Sequence, residues 1–347
     1  MCGHGLGGAR CAMKKPGKGG NITIYDIAKK AGVSPSTVSR VINNRPGVGA
    51  ATRKRLQKLL KEYNYFPNEA ARSLVNQTSR FIGILIDDIR TIHHTEGAYI
   101  IERQLVDLGY CCMIFNTGRD NESKARYIEI MRTRRVDGVV MMGSTFQNDE
   151  VAASINQHLS DVPVVMANGY LELPNTYGIL ADEQNGVASC VELLYKKGKS
   201  KLAFVIDVYT PSNRLKQRGF EEACQRLGLQ GEVYQCASTL AGAYEVTQQI
   251  MRERPATDGI IYVVDLLAAS GVRALVDLGC AVPERVAVVG VDNSIYGEIS
   301  NPKLTSLDNK LLDLSTAAAD TLIAALQGRR VPKKVLIYSS IVERETT

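Results

Sequence analysis

The sequence predicts an α/β protein of two doubly wound parallel-sheet subdomains, preceded by a small all-α helix-turn-helix headpiece. Three observations carry that prediction. Short apolar runs alternate with helical stretches from residue 80 onward, residues 23–43 spell two capped helices joined by a tight turn, and basic charge is concentrated ahead of residue 80. At 347 residues the chain is long for one core, so a small and a large domain, or a large domain divided in two, is the natural partition. Its 45% apolar and 22% charged residues fit a soluble globular protein. No run approaches the roughly 20 apolar residues that a membrane-spanning helix needs.

Residues 1–21 are Gly-rich and basic, without the apolar centre or cleavage site of a secretory signal, and are expected to form a disordered extension. The eight cysteines (Cys2, Cys11, Cys111, Cys112, Cys190, Cys224, Cys236 and Cys280) are scattered, mostly in apolar stretches. That pattern suits buried thiols in a reducing cytoplasm. His4 with Cys2 and Cys11 has no paired C-x-x-C and no second cluster, so neither a metal nor a cofactor is expected.

Residues 1–80 hold 15 Lys and Arg against only Asp26, Glu62 and Glu69, a net charge of +12, whereas the whole chain is +6 and the remainder therefore −6. A basic head on an acidic body is the charge pattern of a polyanion-binding module joined to a domain that does not bind one. A solvated basic surface has the same charge, so the choice rests on the pattern within it.

Thr23 to Asp26 reads as a capping box, after which Ile27, Ala28 and Ala31 mark one apolar face. Gly32 ends that helix. Ser34-Pro35 opens the next with an N-cap hydroxyl and a proline at the first helical position, and Val38, Val41 and Ile42 share its inner face. The opposite face displays Pro35, Ser36, Thr37, Ser39, Arg40 and Asn43, with no acidic residue to repel phosphates. Such a helix suits a major groove: Arg40 can pair bidentately with guanine, while hydroxyls and the helix N-terminus suit phosphates. With Thr23, Tyr25 and Ser34 these are the candidate DNA contacts of a headpiece spanning 22–66. A third helix is expected from an N-cap at Thr52 through Leu56, Leu59, Leu60 and Tyr63. Residues 67–79 hold a short helical stretch, Glu69 to Leu74, which reads either as a linker or as a segment that orders with a partner copy and DNA.

The run Ile24-Tyr-Asp-Ile-Ala-Lys-Lys-Ala-Gly-Val-Ser-Pro-Ser-Thr-Val-Ser-Arg-Val-Ile-Asn43, followed by Tyr65-Phe-Pro-Asn-Glu-Ala-Ala-Arg-Ser-Leu74, resembles the lactose-repressor family of bacterial regulators. The resemblance implies a homodimer, or a further assembly into a tetramer, reading a palindromic operator in double-stranded DNA. It puts Pro35, Ser36 and Arg40 at base-contacting positions and Leu74 at a lever between central base pairs. It also implies that residues 80–347 form an effector-binding domain similar to periplasmic sugar-binding proteins. One subdomain would span about 80–180 plus 309–331, and the other about 181–308 plus 332–347.

Strand candidates in that region are 81–86, 111–115, 138–142, 162–166, 201–206, 259–264 and 286–291, enough for two sheets with a ligand between them at the carboxyl ends. Strand-end residues are the effector candidates: Asp87, His93 and His94 after the first strand, Asn168 after the fourth, Asp265 after the sixth, and Asp292-Asn293 after the seventh. Asp and Asn serve equally as turn or cap residues there. Asp292 also matches the family's ligand-binding aspartate, and His94 falls where relatives often carry an aromatic. Lys216, three residues before Gly219-Phe220, stands where sugar-responsive relatives carry an arginine. A lysine lacks the planar fork, so no particular sugar is carried over. The effector candidates are a sugar, a sugar phosphate, a nucleobase or a phosphoprotein. An enzyme is disfavoured. Gly198-Lys199-Ser200 lacks the first glycine of a phosphate loop and lies between helix and strand, and neither G-x-S-x-G nor H-E-x-x-H occurs.

Overall fold

The computed structural model describes residues 22–63, 65 and 78–347, which divide after Thr78 into two compact units. The expected extension over 1–21, with Cys2, His4 and Cys11, and the 69–74 stretch with Arg72 and Leu74 lie outside the described residues.

The first unit contains α1 (Ile24–Ala31), α2 (Pro35–Ile42) and α3 (Ala50–Glu62). Thr23 and Asp26 exchange the bonds of a capping box, and Gly32 closes α1 with a left-handed backbone at φ 62°. That conformation favours glycine and turns the chain towards α2 within two residues. Ser34 Oγ accepts from the Thr37 amide at the start of α2. Ile27, Ala28, Ala31, Val38, Val41 and Leu56 form the core, with alanines keeping α1 close to its neighbours. The third helix starts earlier than the sequence suggested. Its cap is Gly49, not Thr52, because Ala50 and Ala51 are strong helix formers that carry the first turn upstream.

The second unit has two lobes. In the first, β1 (Phe81–Ile86), β2 (Cys111–Asn116), β3 (Gly138–Met142), β4 (Val164–Ala167), β5 (Thr176–Ala181) and β11 (Lys334–Ile337) form a parallel sheet in the order β11-β5-β4-β3-β1-β2. Helices α4 (Ile92–Asp107) and α12 (Leu311–Leu326) cover one face. The other face carries α5 (Asn121–Arg134) and α6 (Asp149–His158). In the second lobe, β6 (Lys201–Ile206), β7 (Gln230–Gln235), β8 (Gly259–Tyr262), β9 (Ala287–Val291), β10 (Thr305–Asp308) and β12 (Ser340–Val342) run in the order β12-β10-β9-β8-β6-β7, with β12 antiparallel. Its helices are α7 (Glu183–Lys196), α8 (Pro211–Leu227), α9 (Leu240–Glu253), α10 (Asp265–Asp277) and the short α11 (Ile295–Ile299). Central strands covered on both faces need continuous apolar runs, which is why β1, β3 and β9 were readable from sequence.

Beyond single-residue shifts at the end of β2 and the start of β9, three boundaries differ from the sequence reading. The fourth strand begins at Val164 instead of Val162, since Pro163 has no N–H to give the ladder and contributes only its carbonyl, to the Val139 amide. The sixth ends at Tyr262, where the chain turns into α10. The segment Lys334–Ile337, assigned by sequence to the second subdomain, pairs with β5 of the first. The chain therefore crosses between lobes after Ala181, after Asp308 and after Ile337, and the last crossing comes later than residue 332. Gly198-Lys199-Ser200 is a helix-to-strand turn, and the Lys199 ammonium is held by the carbonyls of Pro283 and Glu284.

Candidate functional site

Two sites emerge, one in each unit. In the first, Val38 and Val41 turn α2 inward, leaving Ser34, Ser36 and Arg40 exposed and Pro35, Thr37, Ser39 and Asn43 partly so. Ser34 Oγ lies 2.8 Å from Ser36 Oγ and 2.9 Å from Thr37 Oγ1, so the hydroxyls cluster around the amides at the helix start. Asn43 Nδ2 donates to Ser39 Oγ at 3.3 Å along the same face. Thr23 is tied into the α1 cap by its 2.6 Å bond to Asp26, and Tyr25 projects beside it at 70% exposure. Arg53 and Arg55 brace the fold through the carbonyls of Arg45 and Ala31, while Lys54, Lys58 and Lys61 stay exposed. Hydroxyls, amides and the exposed Arg40 guanidinium on one helix face suit a surface that meets phosphates and base edges. Leu74, the remaining candidate contact, lies outside the described residues.

The second site is the cleft between the lobes of the second unit. From the first lobe, His94 Nδ1 lies 2.9 Å from Asp87 Oδ1. Burial would raise the Asp87 carboxyl, but the His94 contact, the Asp88 amide and Arg119 together hold it below its ordinary range. The His94 ring rests against Gly143, whose φ is 99°; a Cβ there would stand 2.9 Å from Nε2. His93 reaches across to the second lobe, 3.7 Å from Asp292 Oδ1. Its burial depresses the imidazole pKa against the pull of Asp292, keeping the ring neutral near pH 7. Asp292 sits at φ 100°, a strained backbone for a side chain-bearing residue, and is held by its amide on Leu307 and by Asn309 Nδ2. Asn168, at φ 61°, donates to Glu183 Oε1 at 3.2 Å and accepts from the Ala181 amide.

Lys216 is 4% exposed and lies 3.3 Å from Glu183 Oε1. Burial disfavours its charge, but Glu183 and Asp292 outweigh that and hold its pKa above the usual lysine value. Asp265 is turned into its own lobe: it accepts from the Ser294 amide at 2.7 Å and from the hydroxyls of Ser294 and Ser306. Burial pushes its carboxyl up to about 7, against those hydrogen bonds. The geometry thus brings Asp87, His93, His94, Asn168, Lys216 and Asp292 around one cleft, and gives Asp265 a bracing position behind Asp292.

Four cleft residues went unnamed in the sequence reading. Ser144 Oγ accepts from the Ser212 amide of the other lobe at 3.1 Å, Ser212 Oγ donates to Glu183 Oε1 at 2.8 Å, and Asp207 accepts from Asn213. Ser144 and Asp207 follow the third and fifth predicted strands, so the strand-end rule applied to every strand finds them. Ser212 follows Thr210-Pro211, the same cap signal as Ser34-Pro35. Glu183 carries no such signal, since its role depends on where the chain crosses.

Residues 23–68 match the model of bacterial regulatory proteins of the lacI family, and residues 191–347 match the periplasmic binding protein-like domain. An HTH-type transcriptional regulator of Lachnoclostridium phytofermentans is 32% identical over 331 residues, covering 94% of this chain and 99% of the relative. The ribose operon repressor of Halalkalibacterium halodurans is 28% identical, with 94% and 97% covered. A lac repressor dimer solved with operator and an anti-inducer shares the fold at a TM-score of 0.85 and 24% identity, over 94% of this chain and 99% of that one. With a capped helix-turn-helix in the first unit and a two-lobed cleft in the second, the chain belongs to the lacI family of bacterial regulatory proteins and is a DNA-binding transcriptional regulator.

Proposed function

We propose that the chain works as a homodimeric repressor in the cytoplasm, reading a two-fold-symmetric operator with α2 of each copy and responding to an effector in the lobe cleft, without catalysing a reaction. The observation that carries the reading is the outward face of α2, where Ser34, Ser36 and Arg40 stand exposed over a helix start free of acidic side chains. In this reading Pro35, Ser36 and Arg40 address bases, Thr23, Tyr25, Ser34, Thr37, Ser39 and Asn43 address the backbone or neighbouring edges, and Leu74 wedges between central base pairs. Effector binding shifts the relation of the two lobes, and the 69–74 segments of the dimer order on DNA or melt in response. Lobe contacts across the cleft, such as Ser144 with Ser212, support that mechanism, because a ligand can replace them only by favouring one arrangement.

The test is operator selection with the full chain from random duplexes, followed by affinity against salt. A symmetric site bound with a large preference over scrambled DNA is expected, and the same selection with residues 79–347 alone should recover none. Tight binding with a steep salt dependence but no sequence preference would refute the operator reading and leave a general DNA binder.

A further inference from the structure

The charge of the cleft narrows the ligand. Glu183 is 2% exposed, and its Oε1 gathers three donors: Ser212 Oγ at 2.8 Å, Asn168 Nδ2 at 3.2 Å and Lys216 Nζ at 3.3 Å. The Lys216 ammonium meets three acceptors in turn: Glu183 Oε1, Asn213 Oδ1 and the Val263 carbonyl, each at 3.3 Å. Two of its protons are directed at neutral protein oxygens, and its charge faces the Glu183 carboxylate. Lys216, the buried cation of the second-lobe wall among the described residues, is paired with Glu183 before any ligand arrives.

The remaining charges are mostly acidic. Asp292 and Asp207 belong to the second lobe, and Asp87 to the first. The first-lobe cations lie in the field of the Asp87 carboxylate. Lys124 Nζ donates to the Thr145 carbonyl, and the charge of Arg119 acts on Asp87 and Asp88. His93 is half-buried, 3.7 Å from Asp292 Oδ1. A phosphate or carboxylate entering here would lose water and meet acceptors in place of donors, an arrangement that costs affinity at every contact. A ligand rich in O–H or N–H groups meets Asp87, Asp292 and Ser144 as acceptors.

We propose that Glu183 sets the specificity of the cleft by occupying Lys216, so that the effector is an uncharged or cationic hydrogen-bond donor and anionic ligands are refused. This rests on the cleft being the effector site, and it removes sugar phosphates and phosphoproteins from the candidates. The substitution Glu183→Gln tests it cleanly. All three donors converge on Oε1, which glutamine retains as a carbonyl oxygen, so the variant removes the charge and keeps the acceptor.

The probes are inorganic phosphate and glucose 6-phosphate, titrated calorimetrically into the full chain at constant ionic strength, with circular dichroism as a check on folding. Wild-type protein should show no saturable binding of either through the millimolar range. E183Q should bind phosphate at least about tenfold more tightly than wild type, because its buried ammonium loses the carboxylate in contact with it and keeps only the fields of Asp292 and Asp207, and adding Lys216→Met should cancel the gain. Saturable wild-type binding of either probe that Lys216→Met abolishes overturns the proposal, as does a folded E183Q that gains nothing. Should E183Q fail to fold, the wild-type and Lys216→Met titrations decide the question alone. Operator affinity is read separately. A phosphate gain in E183Q with an operator affinity deaf to every cleft ligand would keep the charge assignment and sink the regulatory reading.

Discussion

Replacing Asp265 by Asn should change how the stability of the two-lobed unit depends on pH. The folded carboxyl holds its proton to about pH 7, whereas the ordinary value is 3.8. Between those values the folded chain binds more protons than the unfolded chain, so the unfolding free energy contributed by this group falls as pH rises. A difference of about three units sets the full effect at roughly 4 kcal/mol, and the Ser294 and Ser306 hydrogen bonds, which favour the charged form, are already included in it. Asparagine stays neutral, so the variant lacks this slope. It has its own constant cost: an amide NH2 turned towards the Ser294 N–H, now 2.7 Å from Asp265 Oδ2, sets donor against donor and costs about 1–3 kcal/mol. Urea unfolding of both proteins from pH 4.5 to 8, followed by circular dichroism, gives the difference directly, and groups common to both cancel. The variant should be the less stable at pH 4.5, with the gap shrinking or reversing by pH 8. A gap that stays constant across that range would refute the claim that Asp265 is buried largely protonated.

Arg40→Ala should relax base preference by about 1–3 kcal/mol at one position of each half-site, measured by competition among operator variants; equal loss on all sequences would reassign Arg40 to a phosphate. Ser34→Ala removes the acceptor for the Thr37 amide and should lower headpiece stability by about 1 kcal/mol in thermal melts of the isolated unit. Gly143→Ala places a Cβ 2.9 Å from His94 Nε2 on a backbone at φ 99°, and should cost about 1–3 kcal/mol while displacing the His94 ring from Asp87, seen as a shifted imidazole resonance.

The parts of this molecule legible in its sequence are those fixed by local chemistry. The capping box at Thr23, the Ser34-Pro35 start and the apolar runs of β1, β3, β6 and β9 each follow from what adjacent residues can do by themselves. Strands that depend on neighbours were missed. β7 is an edge strand with a largely exposed QGEVYQ sequence, β12 has only three residues, and Gly178 interrupts the pattern of β5 to let Tyr170 approach. The cleft follows the same division. Asp87, Asn168 and Asp292 were visible as strand ends, whereas Glu183 matters because a chain crossing brings it beside Lys216, 33 positions away.

That division also bears on how the lobes could move. Within each lobe the contacts are apolar and numerous, and burying a single Ile or Leu side chain contributes about 1.5–3 kcal/mol. Across the cleft the contacts are few and polar: Ser212 to Ser144, Asn168 to Glu183 at the first crossing, and His93 near Asp292 at 3.7 Å, too long for a hydrogen bond. Hydrogen bonds of this kind contribute about 0.5–1.5 kcal/mol each once water is counted. The polar contacts holding the lobes against one another thus amount to a few kcal/mol, the range that a ligand with unequal affinity for two arrangements can overcome. The three crossings, after Ala181, Asp308 and Ile337, are where that motion would concentrate. Asn309, in the second, already links Asp292 to Ser339 in the third. An effector that binds Asp292 therefore acts on a residue tied directly to the hinge, and needs no path through either core to change the relation of the lobes.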